Sequence, residues 1–197
     1  MAISLIMGVA APLSEIWFVK DYWRPETVTG WPVSIEDFLF GFLVGGIASV
    51  IYEELFGRRH ANRKNRKHHW SWFIVPTLAL FLISFGTLFS ILKLTSMYAA
   101  VTGYLLVAGV IIYWRHDLWR DSVISGLIAG VAMFLGYMIF LSFYPDAIHR
   151  WWLLNNISGI SLYGVPIEEL IWAFGWGMVI GPIYEFFAGL SYQKARR

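Results

Sequence analysis

Five long apolar runs leave this chain few choices of fold. They span residues 33–56, 72–92, 97–114, 122–143 and 165–190. Each approaches or exceeds the roughly 20 residues that a helix needs to cross a hydrocarbon layer. Inside such a layer every backbone N–H and C=O must find an internal partner, so spans of this length are helices. A sixth run, 1–19, is weaker because it holds Pro12 and Glu15. It lacks the basic start and small-x-small cleavage site of a signal peptide, so it reads as a true first helix, broken near Pro12. The expectation is an all-α integral membrane protein of about six transmembrane helices, a single polytopic domain over 1–197. Composition agrees. Charged residues are 14% and the mean hydropathy is +0.59, against about 25% charge in soluble domains. There is too little polar surface to coat a water-soluble particle.

Charge placement sets the expected topology. The loop 57–70 reads GRRHANRKNRKHHW and carries six Lys/Arg. With this loop on the cytoplasmic side, alternation adds Arg115, Arg120, Lys194, Arg196 and Arg197, eleven in all, and leaves Lys20, Arg24, Lys93 and Arg150 outside. Eleven against four is a positive-inside pattern. It puts the chain in the cytoplasmic membrane with both termini in the cytoplasm. The basic loop also suits anionic lipid headgroups. The net charge is only +2, and the basic residues sit in one loop and one tail, which argues against nucleic acid as a partner. The absence of cysteine excludes disulfides, iron–sulfur clusters and thiolate zinc sites. His60, His68 and His69 have no carboxylate at ligand spacing, so no metal is expected.

Two segments repeat. VSIEDFLFGFLVGGIASVIYEEL (33–55) aligns without gaps on VPIEELIWAFGWGMVIGPIYEFF (165–187), 132 residues later, with eight of 23 positions identical. The copies, 33–56 and 165–188, are the second and sixth helices. Four crossings separate them, so they run in the same direction, as in a parallel repeat. Each carries small residues at every fourth position, Gly41, Gly45 and Ser49 in one, Ala173, Gly177 and Gly181 in the other. Such a stripe lets helix backbones approach closely. Tyr52 and Tyr184 each lie seven residues after a stripe glycine, on roughly the same face.

Acids are the other shared feature. Glu36, Asp37, Glu168 and Glu169 open the two copies at their outer ends. Acids in a first turn are favoured by the helix dipole by about 0.3–1 kcal/mol, which is a sufficient structural reason for one pair. Two pairs in register point further, because carboxylates within a membrane are costly and mark functional sites. Two carboxyls close together in a dry site cannot both ionise easily, so one would keep its proton and act as a general acid. Near the inner ends Glu53 and Glu185 follow Tyr52 and Tyr184. These pairs read equally as interfacial anchors or as a hydrogen-bonded gate. Aromatic residues reach 18%. Phe40, Phe42, Trp172 and Phe174 lie within the copies and are candidates for contact with a substrate or cation.

VPIEELIWAF and VSIEDFLFGF resemble the Pro-x-Glu-Glu/Asp motif of the lycopene cyclase domain family, with Ser34 in place of the proline in the first copy. The resemblance implies a cofactor-independent membrane isomerase that closes rings on a carotenoid or isoprenoid polyene. Glu168 and Glu169, with Glu36 and Asp37, then match the acidic motif as catalytic groups. Phe40, Phe42, Trp172, Phe174, Tyr52, Tyr184, Glu53 and Glu185 are the candidate substrate-binding set. The implied partners are an apolar polyene and the lipid bilayer, with a homo- or hetero-oligomer left open. Two other classes fit the same residues: a small-molecule or proton-coupled transporter, and a non-enzymatic membrane scaffold or subunit.

The topology is testable first. A reporter active only in the cytoplasm, fused to either terminus, is expected to be active, and inactive when inserted at residue 150.

Overall fold

The computed structural model describes residues 1–62 and 73–194. It has six helices long and apolar enough to cross a membrane: Ala2–Asp21, Ile35–Phe56, Ile74–Ile91, Ser96–Trp114, His116–Phe143 and Ile167–Ala188. The chain is thus an all-α integral membrane protein. The first span, α1 (Ala2–Asp21), runs through Pro12 without interruption, which corrects the expected break. Proline removes one N–H from the ladder, and a membrane helix supported by its neighbours tolerates that loss.

The second span is split into α2 (Ile35–Ala48) and α3 (Ile51–Phe56). The third is α4 (Ile74–Gly86), continued by one π-helical turn at Thr87–Ile91. The fourth is α5 (Ser96–Trp114) and the fifth is α6 (Trp119–Phe143). A short helix α7 (Ala147–Trp151) follows. The last span is split into α8 (Ile167–Ile180) and α9 (Ile183–Ala188). The two splits fall at Ser49–Val50 and at Gly181–Pro182, and Gly57 and Gly189 end the short helices with φ of 56° and 65°. Strands β1 (Arg58–Asn62) and β4 (Leu190–Lys194) then pair antiparallel, with Arg58 opposite Lys194 and Asn62 opposite Leu190. Most of the basic loop 57–70, including His68 and His69, lies outside the described residues.

Small residues decide which helices meet. α1 packs on α2, where Gly41 admits the Met7 backbone and Ala11, and Gly45 admits the Met7 side chain. α6 packs on α8, and a Cβ at Gly177 would lie 2.7 Å from Ala129 Cβ and 2.9 Å from the Ser125 carbonyl oxygen. α5 joins the two hairpins. Its Met97, Ala100 and Val101 pack with Phe18, Tyr22, Ile148 and Trp152 toward one end. Its Val107, Ala108 and Ile111 pack with Trp176, Val179, Ile180 and Phe186 toward the other. The remaining faces are apolar and outward, as at Leu5, Ile6, Val9 and Leu13 of α1. In a membrane that is the side that meets lipid.

A side chain at Gly177 must push α6 from α8. Gly177→Ala is expected to destabilise by about 1–3 kcal/mol, read by thermal unfolding in detergent. Gly136, with nothing within 4 Å of its Cβ position, is the control. Gly136→Ala should be neutral or stabilising by up to about 1 kcal/mol.

Candidate active site

The start of α8 is fixed by a tight hairpin. β2 (Ser161–Leu162) and β3 (Val165–Pro166) are joined by Tyr163 and Gly164, with φ of 50° and 85°. Two successive positive φ values are what a two-residue turn matching the strand twist requires. Glycine adopts this freely. Tyr163 does so at a cost, with its ring against Phe134 at 6.3 Å. Pro166, buried, leads straight into α8 and needs no N–H partner. The hairpin thereby delivers Glu168 and Glu169 into the first turn of α8, 2% and 7% exposed.

Each glutamate meets donors from other elements. Glu168 Oε1 accepts from the Tyr98 hydroxyl of α5 at 2.8 Å and from the Ser158 backbone N–H at 2.8 Å. Its Oε2 is buried without a hydrogen-bond partner among the described residues. Glu169 Oε1 accepts from the Tyr22 hydroxyl at 2.6 Å and from the Trp152 indole N–H at 2.8 Å. Tyr137 of α6 also faces this carboxyl. Burial and the neighbouring Glu169 push the Tyr22 hydroxyl far above its ordinary range, so it remains a donor.

The donors are aligned by the chain just beyond α1. The Leu153 N–H donates to the Tyr22 carbonyl at 2.8 Å, and the Arg24 N–H to the Trp151 carbonyl at 2.7 Å. Trp23 and Trp152 form a bridge between these segments. At the last residue of α1, Asp21 accepts from the Ser96 N–H at 2.9 Å and the Ser96 hydroxyl at 2.5 Å. That ties the end of α1 to the start of α5, within one turn of Tyr98.

The other expected acids are placed differently. Glu36 and Asp37 are half-buried at the start of α2. Glu36 Oε1 accepts from the Val28 N–H at 2.6 Å, and Asp37 Oδ2 from the Ser34 N–H at 2.7 Å. Both therefore organise the loop that enters α2. No hydrogen bond joins this pair to Glu168 or Glu169 among the described residues. Between the two pairs stands Glu15 of α1, 6% exposed, facing both Asp37 and Glu169. Sequence reading treated Glu15 only as a flaw in the first span. Its signal was an acid on the stripe Ser4, Gly8, Glu15 and Phe18 that α1 turns inward.

The far ends of the two split spans, at α3 and α9, hold a second group of acids. Glu53 and Glu185 meet there, with Asp121 of α6 facing Glu185. Arg115, fully buried, donates to both Asp117 oxygens at 2.9 and 2.8 Å, to the Glu185 carbonyl at 3.0 Å and to the Leu190 carbonyl at 2.5 Å. Tyr52 is buried against Phe56, whereas Tyr184 is 48% exposed. The turn at Gly181–Pro182 ends the face that Tyr184 was expected to share with Gly177.

The aromatic candidates also divide. Phe40 points outward, 46% exposed, and Phe42 stacks on Phe38 at 6.0 Å. Phe174 packs over Gly126. Trp172, one turn below Glu168, belongs to a run of rings. It stacks on Trp176 at 5.8 Å and meets Tyr104 at 6.1 Å, which stacks on Phe81 at 5.1 Å. Phe85 and Phe89 extend the run along the third span. The spacing of Phe81, Phe85 and Phe89 put them on one helix face, but only the fold shows that this face meets α5.

Comparison with known families bears on this end of the molecule. Residues 95–187 match the lycopene cyclase family model. The resemblance read from the acidic motif is thereby borne out over α5 to α9. The matched span contains Glu168 and Glu169 and three of the residues around them, Tyr98, Tyr137 and Trp152. Tyr22 and Glu15 come from outside it. No curated protein and no solved structure matches the chain.

If the Tyr22 hydroxyl holds Glu169, deleting it should be felt. Tyr22→Phe is expected to destabilise by about 1–3 kcal/mol in thermal unfolding. Tyr113→Phe, at an exposed ring, should stay within about 0.5 kcal/mol.

Proposed function

We propose that this protein is a membrane-embedded cyclase that closes rings on a carotenoid or related isoprenoid polyene by cofactor-independent acid catalysis. The observation that carries the reading is the pair Glu168–Glu169, buried in the first turn of α8 inside the span that matches the lycopene cyclase family. A carboxyl gives a proton to the terminal double bond of the polyene, and a tertiary cation forms. The neighbouring double bond attacks that cation and closes the ring. A carboxylate then removes a ring proton, and no net oxidation occurs. Buried carboxyls can serve both steps because a dry site strengthens their charge interactions. Glu36 and Asp37 enter the reading as groups that shape the opposite wall, with Asp37 facing Glu15. Trp172, Tyr104 and Trp176 offer ring faces to a developing cation.

A second reading rests on the inner end. Glu53 and Glu185 meet beside breaks in both spans, and broken helices with acids also suit a proton-coupled carrier.

Expression in a lycopene-accumulating bacterial host, followed by chromatography of the pigments, separates the two. The cyclase reading expects monocyclic or bicyclic carotene, reduced by about 100-fold or more in Glu169→Gln, the usual scale of a lost general acid or base. Unchanged lycopene with the wild-type chain present in the membrane would overturn lycopene as substrate.

A further inference from the structure

The site contains a third carboxyl, and its surroundings are unlike those of the other two. Glu15 lies seven residues before Tyr22 on α1, about 10 Å along the helix axis, so it sits deeper in the span than the hydroxyl that holds Glu169. It is 6% exposed, and its Oε1 has no hydrogen-bond partner among the described residues. The groups facing it are Asp37 of α2, Glu169 of α8 and the Trp23 indole. Its neighbours on the same stripe, Gly8 and Phe18, are small or apolar. An acid at that depth costs a few kcal/mol, and a carboxyl serving only to hold helices together would have its oxygens paired, as Asp21 does with Ser96.

We infer that Glu15 is a catalytic proton donor of this site, working opposite Glu169. The inference rests on the cyclase reading and assigns its two proton transfers. The Glu15 O–H bond breaks as a C–H bond forms at the inner, less substituted carbon of the polyene's terminal double bond. The electron pair of that double bond makes the new C–H bond and leaves a tertiary cation on its outer, more substituted carbon. The internal double bond closes the ring. Glu169, supplied with donors by Tyr22 and Trp152, takes the ring proton, and the C–H electrons become the ring double bond. The proton on Glu169 passes back to Glu15, and the polyene leaves with its formula unchanged.

Two readouts test this. The first needs no substrate: infrared spectra of the purified chain in lipid nanodiscs. In difference spectra against the wild type, Glu15→Gln is expected to lose one protonated-carboxyl stretch that Glu169→Gln retains. The second is pigment analysis in lycopene-accumulating cells. Glu15→Gln should lower cyclised carotene by about 100-fold or more, with wild-type amounts of protein in the membrane, and Glu15→Asp should restore part of the activity. A purely structural role would leave Glu15→Gln active, because glutamine keeps the shape and the hydrogen-bonding capacity. A difference spectrum in which Glu15→Gln loses no carboxyl stretch, or wild-type cyclisation by that variant, overturns the inference. If the wild type leaves lycopene unchanged while the stretch still belongs to Glu15, the lycopene reading fails and the proton on Glu15 stands. If Glu15→Gln does not accumulate, Glu15→Asp decides: its stretch must move in frequency, and an unmoved stretch overturns the assignment.

Discussion

A carboxyl sealed among apolar helices must be met by donors, and Glu169 draws its donors from elements far apart in the chain. Tyr22 comes from just beyond α1, Trp152 from just beyond α7, and Tyr137 faces it from α6. An unmet carboxylate in a low-dielectric interior would cost far more than any one of these contacts returns. The end of the molecule where α8 begins is arranged around this requirement. The backbone pairing of Tyr22 with Leu153, and of Arg24 with Trp151, brings both donors to the same oxygen. The Asp21–Ser96 contact sets the start of α5 so that Tyr98 reaches Glu168. What would otherwise be a loose meeting of loops becomes a fixed set of contacts around the two glutamates.

The opposite end, where α9 meets β4, solves a similar problem with a cation. Arg115 is fully buried, and its guanidinium is shared between Asp117 and the carbonyls of Glu185 and Leu190. A planar fork of five donors suits this arrangement in a way that a lysine ammonium would not. The carbonyl acceptors lie where α9 ends and β4 begins, so Arg115 anchors the end of the last span to the turn between α5 and α6. Between the two ends, α1–α2 and α6–α8 are held by glycine contacts at Gly41, Gly45 and Gly177. Lipid supplies little hydrophobic drive between helices, so close approach of backbones has to do that work.

Much of this was legible in the residues. The six spans followed from length and apolarity, and the small-residue stripes marked surfaces that do meet other helices. The motif at 165–169 led to the family that residues 95–187 match. Other features were not legible. Pro12 looked like a break, but supported membrane helices absorb one lost hydrogen bond. Tyr184 was placed on the face of Gly177 by counting residues along a straight helix, and the turn at Gly181–Pro182 cancels that count. Phe40 looked like a lining residue and faces outward, whereas Tyr104 and Phe81 pack beside Trp172 from other helices. Glu15 showed in the sequence only as an acid out of place.

The sequence by itself determined the class of molecule, the number of spans, the close-packed stripes and the acids that open α8. These are local or periodic properties, and length, polarity and side-chain size decide them before any helix finds a neighbour. Only the tertiary structure decided which acids share a site. Glu168 and Glu169 are held by Tyr98, Tyr22 and Trp152, while Glu36 and Asp37 are turned to their own loop and Glu15 stands between the pairs. The reason is that a hydrogen bond spans about 3 Å, and residues more than a hundred positions apart come within that distance only when the helices have chosen their partners.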